Sequence, residues 1–311
     1  MEKFENLKKW EGTLASCIRC GYCYENCPLY KHTGWESDAP RAKIITAFGL
    51  LNGEIEPTEA SAEKIFNCFY CKRCEAACSS GVTLTEVFTD AKKDLIELGL
   101  KGPGTTSITQ MNCAKCLACV SACPHEARSH QESGIEVDPI KCKSCGICVE
   151  VCPAGAAVIV NNFGTSKPEL NAGVSQFLAT HENAKAIVFA CNWSYYPDLQ
   201  NTRLPDSETE DREYKIFVNM CAGRLQAQSL MEPFLNKAWG VLVACCPEGD
   251  CGHDGNTRAK KMIEGLKSTL EVIDIDPERI QVVEIPAGDK TLFQAEIDTF
   301  IEKMNQLGPI R

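Results

Sequence analysis

Four cysteine runs in the first half of the chain constrain its fold more than any other feature. Each run has the spacing Cys-x2-Cys-x2-Cys-x3-Cys, and the four runs are Cys17, Cys20, Cys23, Cys27; Cys68, Cys71, Cys74, Cys78; Cys113, Cys116, Cys119, Cys123; and Cys142, Cys145, Cys148, Cys152. With this spacing, three thiolates of one run hold one 4Fe-4S cube and the fourth ligates a second cube. Sixteen of the 21 cysteines obey this rule, which predicts four cubes.

Neighbouring runs are expected to exchange their last thiolates, which gives four ligand sets. These sets are Cys17, Cys20, Cys23, Cys78; Cys68, Cys71, Cys74, Cys27; Cys113, Cys116, Cys119, Cys152; and Cys142, Cys145, Cys148, Cys123. Three of the runs end in Cys-Pro, as in the bacterial ferredoxin run, whereas Ser79 follows the second run. That departure removes no ligand.

Disulfides and zinc are the two other uses of such cysteines. A disulfide framework needs an oxidising compartment, but no charged segment followed by an apolar one opens the sequence, and the number of cysteines is odd. We therefore expect a cytoplasmic protein. Zinc is satisfied by two Cys-x2-Cys pairs and has no use for a further cysteine three residues on. The pattern favours iron–sulfur clusters.

Composition limits both the core and the partners. The apolar share of 44% includes the 21 cysteines, so the first half has few side chains for an ordinary core. We predict that the segment up to about residue 160 is poorly structured without iron, because metal binding then contributes to folding. A net charge of -10 argues against nucleic acid, and no apolar run of 18 residues offers a membrane span.

The sequence predicts a multidomain chain. Residues 1–100 show helical patterns, with one helix from Pro40 to about Leu51 and another after Thr83, and are expected to form an α-helical ferredoxin. A breaker cluster at 101–104 predicts a linker. Residues 105–161, whose two cysteine runs are only 19 positions apart, are expected to form a compact α+β two-cluster ferredoxin with short β-hairpins.

From 183 to 311 the pattern changes to an alternation of short apolar runs and helical stretches. Buried strands are predicted at 186–190, 215–220, 239–244 and 280–285, and helices at 225–237, 257–270 and 291–304. This alternation is typical of an α/β domain with a parallel sheet. The remaining cysteines come at or just after the carboxyl ends of these strands, where open α/β sheets bind ligands: Cys191, Cys221, Cys245, Cys246 and Cys251. Four thiolates there suit a 2Fe-2S cluster.

Three families resemble these segments. The first 100 residues resemble the C subunit of heterodisulfide reductase, and residues 113–153 resemble a two-cluster bacterial ferredoxin. From about residue 186 the chain resembles the delta subunit of methyl-viologen-reducing hydrogenase, through the motifs Cys191-Asn192-Trp193, Met220-Cys221-Ala222-Gly223-Arg224 and Cys246-Pro247-Glu248-Gly249-Asp250-Cys251 with Gly255-Asn256. That family usually reads Cys-Asn-Trp-Cys, and Ser194 stands where its second cysteine is expected.

The departure at Ser194 leaves the ligands of this cluster open. We favour Cys191, Cys221, Cys246 and Cys251, with Cys245 in reserve and the Ser194 oxygen as a further alternative. The expected cofactors are thus four 4Fe-4S clusters and one 2Fe-2S cluster.

The resemblance implies an electron relay inside a flavin-based electron-bifurcating complex. The expected partners are a heterodisulfide reductase A-like flavoprotein and a hydrogenase, formate dehydrogenase or other oxidoreductase subunit. No Walker or dinucleotide fingerprint indicates a nucleotide site. The alternative is a catalytic subunit that reduces disulfides with Cys245 and Cys246, but no acid, base or open metal position for such chemistry is identifiable, so no catalytic residue is assigned.

Overall fold

The computed structural model describes residues 4–100, 106–108, 110–159, 167–194 and 213–310. The chain divides into two compact units, Met1–Phe163 and Gly164–Arg311. The predicted linker at 101–104 lies outside the described residues, and the predicted boundary between 1–100 and 105–161 stays a prediction. Within the described ranges, every helix is too short or too polar to span a bilayer.

The first part of unit one is helical, as predicted. Its helices are α1 (Glu5–Lys8), α2 (Glu11–Ala15), α3 (Tyr22–Glu25), α4 (Pro28–Thr33), α5 (Pro40–Leu51), α6 (Glu59–Phe66), α7 (Arg73–Ala76) and α8 (Leu84–Glu97), with a short 3-10 helix at Glu36–Asp38. The predicted helix α5 is confirmed at both ends, since proline occupies its first position and Asn52 caps it. The predicted helix after Thr83 is confirmed as α8.

Helices α5, α6 and α8 enclose the apolar core of this part, to which Leu50, Phe66 and Phe88 contribute. Hydrogen bonds to the buried Asp94 carboxylate of α8 hold helix α1 against α8. Asp94 accepts hydrogen bonds from the Asn6 backbone N–H (3.0 Å), the Asn6 side chain (2.7 Å) and, through its other oxygen, the Leu7 backbone N–H (2.8 Å).

The second part of unit one is built from two similar halves. Its elements are β1 (Thr106–Ile108), a 3-10 helix (Gln110–Asn112), α9 (Ala118–Ser121), β2 (Arg128–Gln131), β3 (Gly134–Val137), α10 (Ile147–Glu150) and β4 (Ala157–Ile159). Strands β2 and β3 form an antiparallel hairpin, which confirms one predicted hairpin. The other antiparallel pair, β1 with β4, joins the two ends of the segment and is not a hairpin.

Unit two is an α/β layer structure. It contains α11 (Lys167–Thr180), β5 (Ala186–Cys191), β6 (Tyr214–Asn219), a 3-10 helix (Ala222–Arg224), α12 (Ala227–Leu235), β7 (Gly240–Cys245), α13 (Gly255–Val272), a 3-10 helix (Pro277–Arg279), β8 (Ile280–Glu284) and α14 (Lys290–Leu307). The strands form a parallel sheet in the order β6-β5-β7-β8. The predicted strands and helices of this unit are thereby confirmed, with small differences at their ends.

Both faces of the sheet are covered. Alternate residues of β5 and β7 pack against α11, α12 and α13 on one face, and the intervening residues pack against α14 on the other. Strands buried on both sides read as continuous apolar runs, which explains why they were recognisable in the sequence. Helix α11 was not predicted, because only three of its residues, Leu170, Val174 and Phe177, are buried.

Candidate metal centres

The four cysteine runs fold into the same kind of loop. In each run, the residues two and four positions after the first cysteine have positive φ, and a short helix then begins: Arg19 and Gly21, Tyr70 and Lys72, Lys115 and Leu117, Ser144 and Gly146. Six of these eight residues are not glycine, so the left-handed backbone is strained and must be held by its surroundings. Four repeats of one strained loop indicate one repeated function.

In the helical part, two runs line two cavities. The first site is a cavity lined by Cys17, Cys20, Cys23 and Cys78. The second site is a cavity lined by Cys68, Cys71, Cys74 and Cys27. Each site thus combines three thiols of one run with the last thiol of the other.

In the second part of unit one, a cavity is lined by Cys142, Cys145, Cys148 and Cys123, which we call the fourth site. The third site is the loop of Cys113, Cys116 and Cys119, to which the sequence assigns Cys152. Cys113 and Cys119 pack against a small apolar cluster around Ile135, next to Cys148 of the fourth site. Among the described residues, no three His, Cys, Asp or Glu side chains converge as ligands of one metal ion.

Backbone N–H groups point at the last cysteine of three runs. The sulfur accepts a hydrogen bond from the N–H four residues later in Cys78 (3.3 Å), Cys123 (3.3 Å) and Cys152 (3.2 Å). Cys27 differs, because it precedes the first turn of α4. Such bonds stabilise a thiolate and, in an iron–sulfur protein, tune the reduction potential.

The second and fourth sites are more buried than the first and third. Cys20 and Cys116 are exposed, whereas Cys74, Cys145 and Cys148 are buried. Burial raises the pKa of Cys71 and of Cys145 to about 12, so these groups are neutral thiols at pH 7 until a metal displaces their protons. The donor sets, the cavities and the shielding fit 4Fe-4S clusters.

The fifth site lies at the carboxyl edge of the sheet in unit two, as predicted. Cys191 ends β5, Cys221 follows β6, Cys246 follows β7 and Cys251 lies in the loop before α13. Cys246 shares its thiol proton with Cys191 and Cys251, which raises its own pKa. The hydrogen bond from Cys246 lowers the pKa of Cys251 to about 6. Burial opposes ionisation of Cys191, but the bonds from Cys246 and Ser194 outweigh it and lower its pKa to about 7.

Gly255, the first residue of α13, lies next to both Cys221 and Cys251. The Gly255 N–H donates to Cys251 Sγ (3.2 Å), and a Cβ on Gly255 would lie 2.2 Å from Cys221 Sγ. Only glycine therefore fits beside the two cysteines. The sequence marked Gly255 as part of a motif, but its packing role follows only from the structure.

The two alternative ligands of the fifth site, Ser194 and Cys245, occupy different positions. Ser194 Oγ lies 3.1 Å from Cys191 Sγ, and the Ser194 N–H also donates to that sulfur (3.3 Å). The Cys245 side chain is fully buried, and its thiol donates to the Val283 carbonyl (3.5 Å). Burial and the nearby Cys191 raise the pKa of Cys245 to about 12. Ser194 thus contacts Cys191 of the fifth site directly, whereas the Cys245 thiol is hydrogen-bonded to the backbone of strand β8.

The buried cations near the second and fourth sites were not predicted from the sequence. Lys43 and Lys92 are almost completely buried in the helical part, and Arg128 is buried beside Cys148, to which it donates a hydrogen bond. One signal was present for Lys92, which lies four residues after Phe88 on the apolar face of α8.

Comparison with known proteins agrees with this geometry. Residues 13–82 and 112–156 each match a family model described as 4Fe-4S dicluster domain, so the chain is an iron–sulfur protein with 4Fe-4S clusters. Residues 186–308 match the family model of the methyl-viologen-reducing hydrogenase, delta subunit. This part of the chain is a domain of that family, and the resemblance seen in the sequence is confirmed.

Curated relatives fall into three groups. The iron-sulfur D subunit of the F420-non-reducing hydrogenase vhu of Methanopyrus kandleri is 29% identical over 42% of this chain and 98% of its own length. The A subunit of the ferredoxin/F(420)H(2)-dependent CoB-CoM heterodisulfide reductase of Methanosarcina acetivorans is 29% identical over 40% of this chain and 16% of its own length. The glycolate oxidase iron-sulfur subunit of Escherichia coli is 34% identical over 30% of this chain and 22% of its own length.

The shared segments differ in how much of each relative they represent. The chain covers nearly the whole hydrogenase protein but only 16% to 25% of the heterodisulfide reductase and glycolate oxidase relatives. The delta-subunit domain is therefore matched along its full length. The other relatives share only a segment with this chain.

Proposed function

We propose that this chain is an electron-relay subunit of an oxidoreductase complex, with four 4Fe-4S clusters in unit one and one 2Fe-2S cluster in unit two. When bound, such clusters take up and release single electrons. The observation that carries the proposal is the crossed lining of three cavities, each by three thiols of one run and the last thiol of its neighbour. The proposed modules are 1–100, 105–161 and 183–311.

The residues around the sites favour transfer over substrate chemistry. Cys20 of the first site and Cys116 of the third site are exposed, so electrons can be exchanged there with other proteins. Because the second and fourth sites are buried, solvent is kept away from the clusters between the two exposed ones. In the fifth site, Cys191, Cys221, Cys246 and Cys251 supply four thiolates to a 2Fe-2S cluster, and Gly255 leaves room for them.

The partner class follows from the relatives. The hydrogenase and heterodisulfide reductase relatives favour a complex with a heterodisulfide reductase A-like flavoprotein and a hydrogenase, formate dehydrogenase or other oxidoreductase. The glycolate oxidase relative indicates that one segment also occurs in other oxidoreductases. Electron bifurcation would then take place at the flavin of the partner and not on this chain.

A disulfide-reducing role for Cys245 and Cys246 has less support. Cys245 has no exposed surface, and its thiol is bonded to the Val283 carbonyl. A thiol that attacks a substrate disulfide has to be accessible as a thiolate. Burial and the raised pKa of Cys245 both oppose this.

Iron and sulfide analysis of protein purified without oxygen tests the proposal. We expect about 18 iron atoms per chain, four for each cube and two for the smaller cluster. Alanine variants of Cys191, Cys221, Cys246 or Cys251 should each lose about two iron atoms, and the matched control Cys245→Ala should keep them. Colourless protein without acid-labile sulfide would refute the proposal. Loss of iron in Cys245→Ala but not in Cys191→Ala would refute the ligand set.

A further inference from the structure

Three side chains meet between the second and fourth sites. Tyr70 lies in the loop between Cys68 and Cys71, Lys143 follows Cys142, and Lys92 comes from α8. The ammonium groups of Lys92 and Lys143 lie 4.6 Å and 4.5 Å from the centre of the Tyr70 ring. We call these three residues the lysine–tyrosine layer. The layer joins the loop of the second site to the loop of the fourth site.

Tyr70 and Lys92 are buried and Lys143 is half-buried, and the layer has cysteines on both sides. Tyr70 is 4% exposed and Lys92 only 1%. Lys92, Lys143 and Tyr70 all lie within electrostatic range of Cys68 in the second site and of Cys142 in the fourth site. The Tyr70 N–H also donates to Cys68 Sγ (3.4 Å). The Lys92 ammonium can therefore interact with the negative charge that a cluster would bring to either site.

A buried ammonium is unfavourable unless negative charge compensates it. The aromatic rings of Tyr70 and Phe66 supply part of the compensation, since Lys92 also lies 5.3 Å from the centre of the Phe66 ring. Metal-bound thiolates at the two sites would supply further negative charge. Adding an electron to a neighbouring cluster adds one negative charge, which a nearby cation in a medium of low dielectric constant stabilises. Cluster potentials depend on such charges.

We propose that the lysine–tyrosine layer is the junction at which electrons cross between the second and fourth sites, and that Lys92 raises the reduction potential at both. The inference rests on the proposed relay. One electron leaves one site and reduces the other, with no change of bonds or protons. Because Cys27 and Cys78 already tie the first site to the second, the path through unit one runs first, second, fourth, third. Its two ends are the exposed Cys20 and Cys116.

The test compares Lys92→Met with Lys92→Arg and Lys93→Met in the full chain, with clusters counted before titration. Lys93 is the matched control, because it is the next residue on α8 but is 38% exposed and paired with Asp90 at 2.7 Å. In a redox titration followed by electron paramagnetic resonance, Lys92→Met should lower the equilibrium constant for reduction at least tenfold. A tenfold change is 59 mV for a one-electron couple. Lys92→Arg and Lys93→Met should titrate like the wild type.

Equal titration curves for Lys92→Met and Lys93→Met would overturn the proposal. If Lys92→Met does not fold, the half-buried Lys143→Met has to show the same downward shift, and a folded Lys143→Met without a shift would overturn it as well. Wild-type protein with fewer iron atoms than expected would instead refute the proposed relay. The iron count therefore distinguishes failure of the function from failure of this inference.

Discussion

The packing of Gly255 gives a sharp prediction about the fifth site. A single methyl group at this position, introduced as Gly255→Ala, would lie 2.2 Å from Cys221 Sγ, 3.0 Å from the Gly223 nitrogen and 3.4 Å from the Gly223 Cα. The first contact is far inside van der Waals distance, and the backbone behind it leaves little room for the methyl group itself. The side chain of Cys221 therefore has to move from its position beside Gly255.

The size of the effect follows from two opposing contributions. Overpacking of this kind destabilises a fold by about 1–3 kcal/mol, whereas replacing a helical glycine with alanine stabilises it by about 0.5–1 kcal/mol. Because Gly255 is the first residue of α13, little of that gain applies, and a net loss of about 1–2 kcal/mol is expected. Gly265→Ala in the same helix is the matched control, since nothing lies within 4 Å of its Cβ position. It should stabilise the protein by about 0.5–1 kcal/mol.

The assay combines urea denaturation with iron analysis of the folded protein. Gly255→Ala should lose stability together with about two iron atoms per chain. A second control, Gly240→Ala, creates a close contact with Met304 and Phe300 in the core, away from the cysteines. That variant should lose stability and keep its iron. Gly255→Ala protein with full iron content and unchanged stability would refute the reasoning.

Three further predictions concern unit one. Asp94→Ala removes the acceptor that fastens α1 to α8 and should lower the free energy of unfolding in urea by about 1–3 kcal/mol, whereas the exposed Glu97→Ala should change it little. Burial opposes ionisation of Asp90, but hydrogen bonds outweigh it and lower its pKa; its donors are Lys9, Lys93 and Trp10. The stability from ionised Asp90 is present above its unfolded-state pKa of about 3.9 and is lost as the pH falls through the lower folded-state pKa, so Asp90→Asn should flatten the acid-unfolding curve. Chelation of iron should remove much of the helical circular dichroism, and an iron-free protein with full helix content would contradict this.

The elements that the sequence predicted well are those whose local signals agree with their surroundings. Helix α5 has proline at its start and Asn52-Gly53 at its end, and the central strands β5 and β7 are apolar on both faces. Helix α11 escaped prediction although Leu170, Val174 and Phe177 have helical spacing. Small and polar residues surround these three, so the signal was weak.

The candidate sites likewise have features that the sequence predicted and features that it did not. Cysteine spacing predicted which thiols line the three cavities, because each cysteine loop is local in sequence. The lysine–tyrosine layer could not be predicted, since Tyr70, Lys92 and Lys143 come from three segments and meet only after folding. Lys92 breaks the local rule that an apolar helix face carries apolar residues. Such departures are expected at functional positions.

The buried cations also explain why folding of unit one should depend on iron. Without metal, the negative charge of metal-bound thiolates at the second and fourth sites is missing, and burial lowers the pKa of the almost fully buried Lys92 to about 8. Removing one partner of a buried ion pair typically destabilises a protein by about 3–5 kcal/mol. Loss of the clusters thus removes metal–sulfur bonds and leaves buried positive charge at the same time. On this reasoning Lys92→Met, which lowers the reduction potential, should make the iron-free protein more stable than the iron-free wild type, and urea denaturation after chelation would show it.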